Sequence, residues 1–170
     1  VSPFTTAAAA SVAGFDPLDP GRIADGLARL ADQSLLSVAA PGGHTRYRAL
    51  ETIRQYGTDL LAASGEVDAA RARHLGWCRS VVDGLAESPG TGDWRARFDA
   101  VADDLRSALG WAADRAADRA DAHHLALSLA RLAFVRNLVG ESQQRYEQAA
   151  ALADDPADAA DALRSAASVA

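Results

Sequence analysis

His74 and Cys78 stand four residues apart in "RHLGWC". On a helix, positions four apart share a face, so the pair could offer an imidazole and a thiolate to one zinc ion. Such a site needs two more ligands. His123 and His124 are available, but adjacent residues of a helix point to different sides. There is no second Cys and no His-Glu-x-x-His pattern. The pair therefore reads as a core histidine beside a buried cysteine. A nucleophilic site would join a Ser, Thr or Cys to a base and to an acid that orients it. Spacing alone picks out no such set. No Lys occurs, so the phosphate loop G-x-x-x-x-G-K-[ST] is absent. No catalytic residue, cofactor or metal is expected in this segment, and a metal-dependent enzyme is the more distant alternative.

The arginines are the other candidate chemistry. Arg46, Arg48 and Arg54 fall within "HTRYRALETIRQYG", a short alternating stretch running into a helical one. A DNA reader needs Arg, Asn or Gln on an exposed helix that reaches base edges. The helix after the alternating stretch offers Arg54, Gln55, Thr58 and Asp59. The helix before it offers Arg22, Asp25, Arg29 and Asp32, where acids cancel the arginines. The whole chain has a net charge of −6 and a pI near 5.1. Phosphate binding is driven by a basic excess, so this segment is not expected to contact nucleic acid directly.

These residues must be held by elements the sequence also predicts. "GFDPLDPG" interrupts an Ala-rich start that has room for one short helix, and Asp19-Pro20 marks the start of the next. Ile23, Leu27 and Leu30 give that helix one apolar face, ending near Ser34. "LLSVAA" and "RYRAL" around "PGGHT" predict a β-hairpin, with Tyr47 and Ala49 on one side and Arg46 and Arg48 on the other. Helical spacing resumes at Leu50, Ile53, Tyr56, Gly57, Leu60 and Leu61, with Gly65 as C-cap.

From Glu66 the signal is helical throughout. Val67, Ala70, His74, Trp77, Cys78, Val81 and Leu85 form one stripe, and Trp94, Phe98, Val101, Leu105, Leu109 and Ala112 a second. Asp93 is placed to cap the second helix. A third helix, apolar nearly all round and ended by Gly140, should sit between neighbours. Trp94, Trp111 and Phe134 are expected between helices. Asp155-Pro156 starts the last helix. The Asp/Arg runs predict solvated faces with local ion pairs.

Hydrophobic residues make up 49% and charged residues 24% of 170, which suits a globular chain with a core. No apolar run reaches the roughly 18 residues of a membrane span. The start lacks the basic region of a signal peptide. One Cys excludes an intrachain disulfide, and a cytoplasmic location is expected. With no Met, the chain is expected to begin inside a longer product. The absence of Lys and the abundance of Ala suggest a high-GC bacterial genome.

"RYRALETIRQYGTDLLAASGE" resembles the end of the winged-helix domain in bacterial STAND (NB-ARC-like) ATPase regulators of the LuxR or SARP type. In that family a "LxxLxDxSLL" phrase precedes the wing, matched here by Leu27, Leu30, Asp32, Ser34, Leu35 and Leu36. Arg46, Tyr47, Arg48, Leu50, Glu51, Thr52, Ile53, Arg54, Gln55 and Tyr56 match the phrase after it, with Ala49 and Gly57 as small departures. Arg73 and His74 match an Arg-His-aromatic helix. Asp103, Leu105, Arg106, Ala108, Leu109 and Trp111 match "DNLRAALxWA", with Asp104 in place of Asn. Glu141, Glu147 and Ala149 match a first tetratricopeptide-like pair. The resemblance runs roughly from Arg22 to Ala153.

The resemblance implies a mainly α chain. A winged-helix-like part with a short β-hairpin, residues 1–65, would precede a tetratricopeptide-like antiparallel helical array, residues 66–170. It implies a regulatory, non-catalytic role. The array would meet a protein or small-molecule signal and relay it to an upstream nucleotide-binding module holding ATP or ADP, with oligomers possible. The alternative is a stand-alone winged-helix DNA-binding transcription factor.

Overall fold

The computed structural model of the chain describes residues 3–15, 18–40 and 45–169. It is mainly α, with a short antiparallel hairpin. Packing divides it into two units, Val1–Trp77 and Cys78–Ala170.

In the first unit, α1 (Thr6–Ala13) begins where the Thr5 hydroxyl accepts the Ala8 N–H at 3.1 Å. The Asp19 carboxylate accepts the Gly21 N–H at 2.8 Å, and Pro20 opens a 3₁₀ turn leading into α2 (Ile23–Asp32). Proline suits that position, where its missing N–H would have had no helical partner. Ser34 then turns the chain at φ 59°. Strand β1 (Leu36–Ala39) pairs with β2 (Arg46–Ala49), Leu36 opposite Ala49 and Val38 opposite Tyr47. The expected turn at "PGGH" lies outside the described residues. Helix α3 (Glu51–Ser64) ends at Gly65, whose φ of 73° a side chain would strain. Buried Ile23, Leu27, Leu36 and Tyr47 form the core, lined by Phe4 and the alanines of α1. Phe4 exchanges two backbone hydrogen bonds with Tyr47, at 2.9 and 2.8 Å, and their rings stack.

One expectation about faces needs correction here. Leu30 was expected beside Ile23 and Leu27 on one buried face, yet it is exposed near the end of α2, where Ala31 packs against the core cluster instead. Helix α3, where the apolar residues recur at helical spacing as expected, buries no residue.

Helix α4 (Val67–Ala86) crosses from one unit to the next. Its buried line is Leu75, Cys78, Val82 and Leu85. Cys78 and Leu85 belong to the expected stripe, and its other members, Val67, Ala70, His74, Trp77 and Val81, are half-buried, while Leu75 and Val82 complete the buried line in place of their neighbours. In the second unit, α5 (Trp94–Ala113) buries Trp94, Phe98, Ala102, Leu105, Ala108, Leu109 and Ala112. Asp93 stands at its N-cap but its side chain caps no N–H. The indole of Trp94 donates to the Leu85 carbonyl at 3.0 Å and stacks on Phe98, centroids 5.4 Å apart.

Helix α6 (Arg119–Val135) buries eight residues from Ala122 to Ala133, as its apolar circumference predicts, and packs against both α5 and α7 (Val139–Leu152). Arg119 meets Ala151 and Asp154, His123 meets Ala149, and Ser142 meets Ala130. One number rises as the other falls, so α6 and α7 run antiparallel. Helix α8 (Pro156–Val169) starts where Asp155 accepts the Ala157 N–H at 2.8 Å, and Ala166 packs with Tyr146 and Ala130.

The expected end of α6 at Gly140 is wrong. The helix stops at Val135, Asn137 adopts φ 67°, and Leu138 N–H returns to the Ala133 carbonyl at 2.8 Å. Asn tolerates the left-handed region better than other side chains. Gly140 lies instead in the first turn of α7. Among the described residues no helix is long and apolar enough to cross a membrane.

Candidate functional site

The densest group of motif residues lies along β2 and α3. Strand alternation buries Tyr47 and turns Arg48 to solvent, while Arg46 is half-buried. Leu50 precedes α3 with extended backbone and is 54% exposed. Tyr56 and Leu60 follow along α3, 62% and 53% exposed, and Ile53 and Leu61 are half-buried.

The polar groups of α3 pair with one another. The Arg54 guanidinium binds the Glu51 carboxylate one turn earlier. That bond lowers the carboxyl pKa of Glu51 below its ordinary range. Gln55 donates to Asp59 at 3.0 Å, and the Thr58 hydroxyl donates to the Arg54 carbonyl at 2.9 Å. The groups that could read bases on this helix are therefore already engaged along its own length. Arg22, just before α2, and Asp25, Arg29 and Asp32 along it are all exposed and alternate in sign. The sequence predicted the apolar spacing of α3 but not its exposure, because periodicity records a face and not what covers it.

His74 is half-buried and stacks on Trp77, centroids 5.8 Å apart, while Arg73 lies 4.3 Å from the centroid of the Phe15 ring. His123 Nδ1 meets the Ala149 carbonyl and His124 Nε2 meets Asp83, so the adjacent pair does diverge. Among the described residues no three His, Cys, Asp or Glu side chains group as metal ligands.

In the second unit Leu105 and Leu109 are core residues, and Arg115 lies over the half-buried Trp111, 4.6 Å from its centroid. Arg106 is the centre of a cross-helix clamp. Its Nε and one terminal nitrogen donate to the two carboxylate oxygens of Glu141, both at 2.7 Å, and its other terminal nitrogen donates to Asp103 at 2.9 Å. Arg145 approaches Glu141 at 3.7 Å. These bonds hold the Glu141 carboxyl below its ordinary pKa and raise that of Arg106, against the opposing effect of burial. Arg106 and Glu141 each match a family motif, but their pairing across 35 residues left no mark in local spacing. Phe134, expected between helices, is instead 52% exposed, because the break at Asn137 fixes its backbone before it can face inward.

The chain is 38% identical over 114 residues to two proteins of Mycobacterium tuberculosis, strains H37Rv and CDC 1551, and to one of Mycobacterium bovis. Each bears the name "Putative HTH-type transcriptional regulator". The match takes in 65% of this chain and 13% of each relative, so the chain spans about an eighth of their length. The similarity is to transcriptional regulators. No family model matches the chain. No solved structure matches it either.

Cys78 is fully buried, and desolvation, with the Asp104 charge second, pushes its pKa up to about 12. At pH 8 the reactive thiolate is therefore scarce. Ellman's reagent is expected to label the native chain far more slowly than the urea-unfolded one. Equal rates would show that the thiol is accessible.

Proposed function

We propose that this chain is a non-catalytic contact segment of a larger transcriptional regulator. A winged-helix-like unit and a tetratricopeptide-like array would couple a signal to a nucleotide-binding module elsewhere in the same polypeptide. The observation that carries this reading is the surface of α3: Leu50, Tyr56 and Leu60 are exposed while Arg54, Gln55 and Thr58 are paired locally. An apolar helix face suits a protein partner; a phosphate backbone attracts a basic one. The array would receive the protein or small-molecule signal, and the relay requires two arrangements with different affinity for it.

The second reading is DNA contact by the first unit, and the comparisons favour it more directly. The three relatives are named as HTH-type regulators. That name belongs to proteins about eight times longer than the match, so the DNA-contacting part need not lie within the matched stretch.

Fluorescence anisotropy with labelled duplex DNA, from 50 to 200 mM salt, separates the two readings. The contact reading expects nothing tighter than non-specific binding, for which Kd is about 10⁻⁴–10⁻⁶ M at physiological salt. Tight, salt-sensitive binding that Arg46→Ala and Arg48→Ala abolish would establish the DNA reading in its place.

A further inference from the structure

The corner between α6 and α7 holds a groove of about 630 Å³, lined by Arg95, Phe134, Val135, Arg136, Asn137 and Leu138. Its volume falls within the roughly 300–1,000 Å³ of small-molecule sites. All of it belongs to the second unit. We propose that this groove binds a small organic anion with an apolar or aromatic body.

The apolar half is built in. Phe134 and Val135 are both exposed, and Leu138 is half-buried beside them. The backbone beneath them is fixed: Arg136, Asn137 and Leu138 N–H groups return to the carbonyls of Leu132, Phe134 and Ala133 at 2.9, 2.9 and 2.8 Å. Phe134 therefore cannot rotate into the core without breaking the turn. A Cβ placed on Gly90 would lie 3.5 Å from Val135, so the loop before α5 passes against the same corner.

The charge comes from two arginines with different duties. Arg136 is bound by both oxygens of Asp99, each at 2.9 Å, which makes it a wall with its charge offset. Arg95, from the first turn of α5, influences Asp99 through space but forms no ion pair among the described residues. A cation facing apolar surface in a chain of net charge −6 selects a ligand with both properties. A bare phosphate would leave Phe134 uncovered. A neutral apolar molecule would gain nothing from the solvated Arg95, and a cation would be repelled. This site stands on the second unit alone and does not depend on the reading of α3.

The test uses the whole chain and two dyes, 8-anilinonaphthalene-1-sulfonate and N-phenyl-1-naphthylamine, which share rings and differ by the sulfonate. The sulfonate dye is expected to bind one saturable site. Arg95→Glu should weaken it about tenfold, the usual worth of a charge-assisted hydrogen bond, and Phe134→Ser should weaken both dyes. Arg95→Gln checks that the effect is not one of introduced charge alone. The neutral dye should bind more weakly and ignore Arg95. Thermal melts confirm that the variants fold; both side chains are exposed, so no core is lost. Sulfonate binding indifferent to both Arg95 variants, or a neutral dye bound as tightly as the anion, would overturn the proposal.

Discussion

Phe98→Ala is expected to destabilise the Cys78–Ala170 unit by about 3–5 kcal/mol, the usual cost of truncating a buried aromatic. Phe98 is wholly buried, and its ring stacks on the equally enclosed Trp94. Removal loses the transfer free energy of the ring and leaves a cavity that rigid helix backbones cannot close. Stacking is worth a further ~1 kcal/mol, already within that range. The melting temperature should fall on the order of 10 °C. A fall of one or two degrees would mean that the helices collapse onto the gap, and that α5 is less firmly placed than its contacts imply.

The second large effect is expected at the clamp between α5 and α7. Arg106→Ala leaves the Glu141 carboxylate, only 17% exposed, without its two strongest donors. Breaking a fully buried pair costs about 3–5 kcal/mol, whereas exposed pairs are worth under ~1. Arg106 is about one-third exposed, so a loss of about 2 kcal/mol is expected at neutral pH. The pH dependence has a definite sign. Glu141 has a folded pKa below its ordinary 4.5, so its contribution is complete above that value. It is lost as pH falls through the lower folded value. Urea midpoints of wild type and Arg106→Ala should differ at pH 7 and converge as the solution is acidified below about pH 4. A gap that persists unchanged in acid would assign the loss to packing of the arginine stem instead.

Local chemistry was readable from the sequence; pairing across the chain was not. Asp19-Pro20, Gly65 and Asp155-Pro156 mark helix ends through their own backbone preferences, and each ends or starts a helix where expected. The alternation of Arg46, Tyr47, Arg48 and Ala49 gave the strand, and of its four residues only Tyr47 is fully buried. The apolar circumference of α6 correctly placed it between neighbours. The same apolarity hid its end, since Leu138 and Val139 continue the pattern while Asn137 breaks the backbone. The Arg106–Glu141 clamp and the Phe4–Tyr47 bridge join residues far apart in sequence, and no local period contains them. On α3 the pattern named an apolar side; nothing in a single sequence says whether neighbours reach it.

The buried hydroxyl of Ser142, donating to the Ala130 carbonyl at 2.8 Å, has a consequence for alignment. Apolar contacts alone, such as those of the alanines and leucines buried on α6 and of Ala149 and Leu152 on α7, are non-directional and can be remade after a shift along the helix. A slip of one turn would strand this hydroxyl in an apolar seam, at about 1–3 kcal/mol. With the bonds from His123 to Ala149 and from Arg119 to Ala151, this oxygen holds the two helices in a single registration, and α8, seated on Tyr146 and Ala130 through Ala166, inherits it.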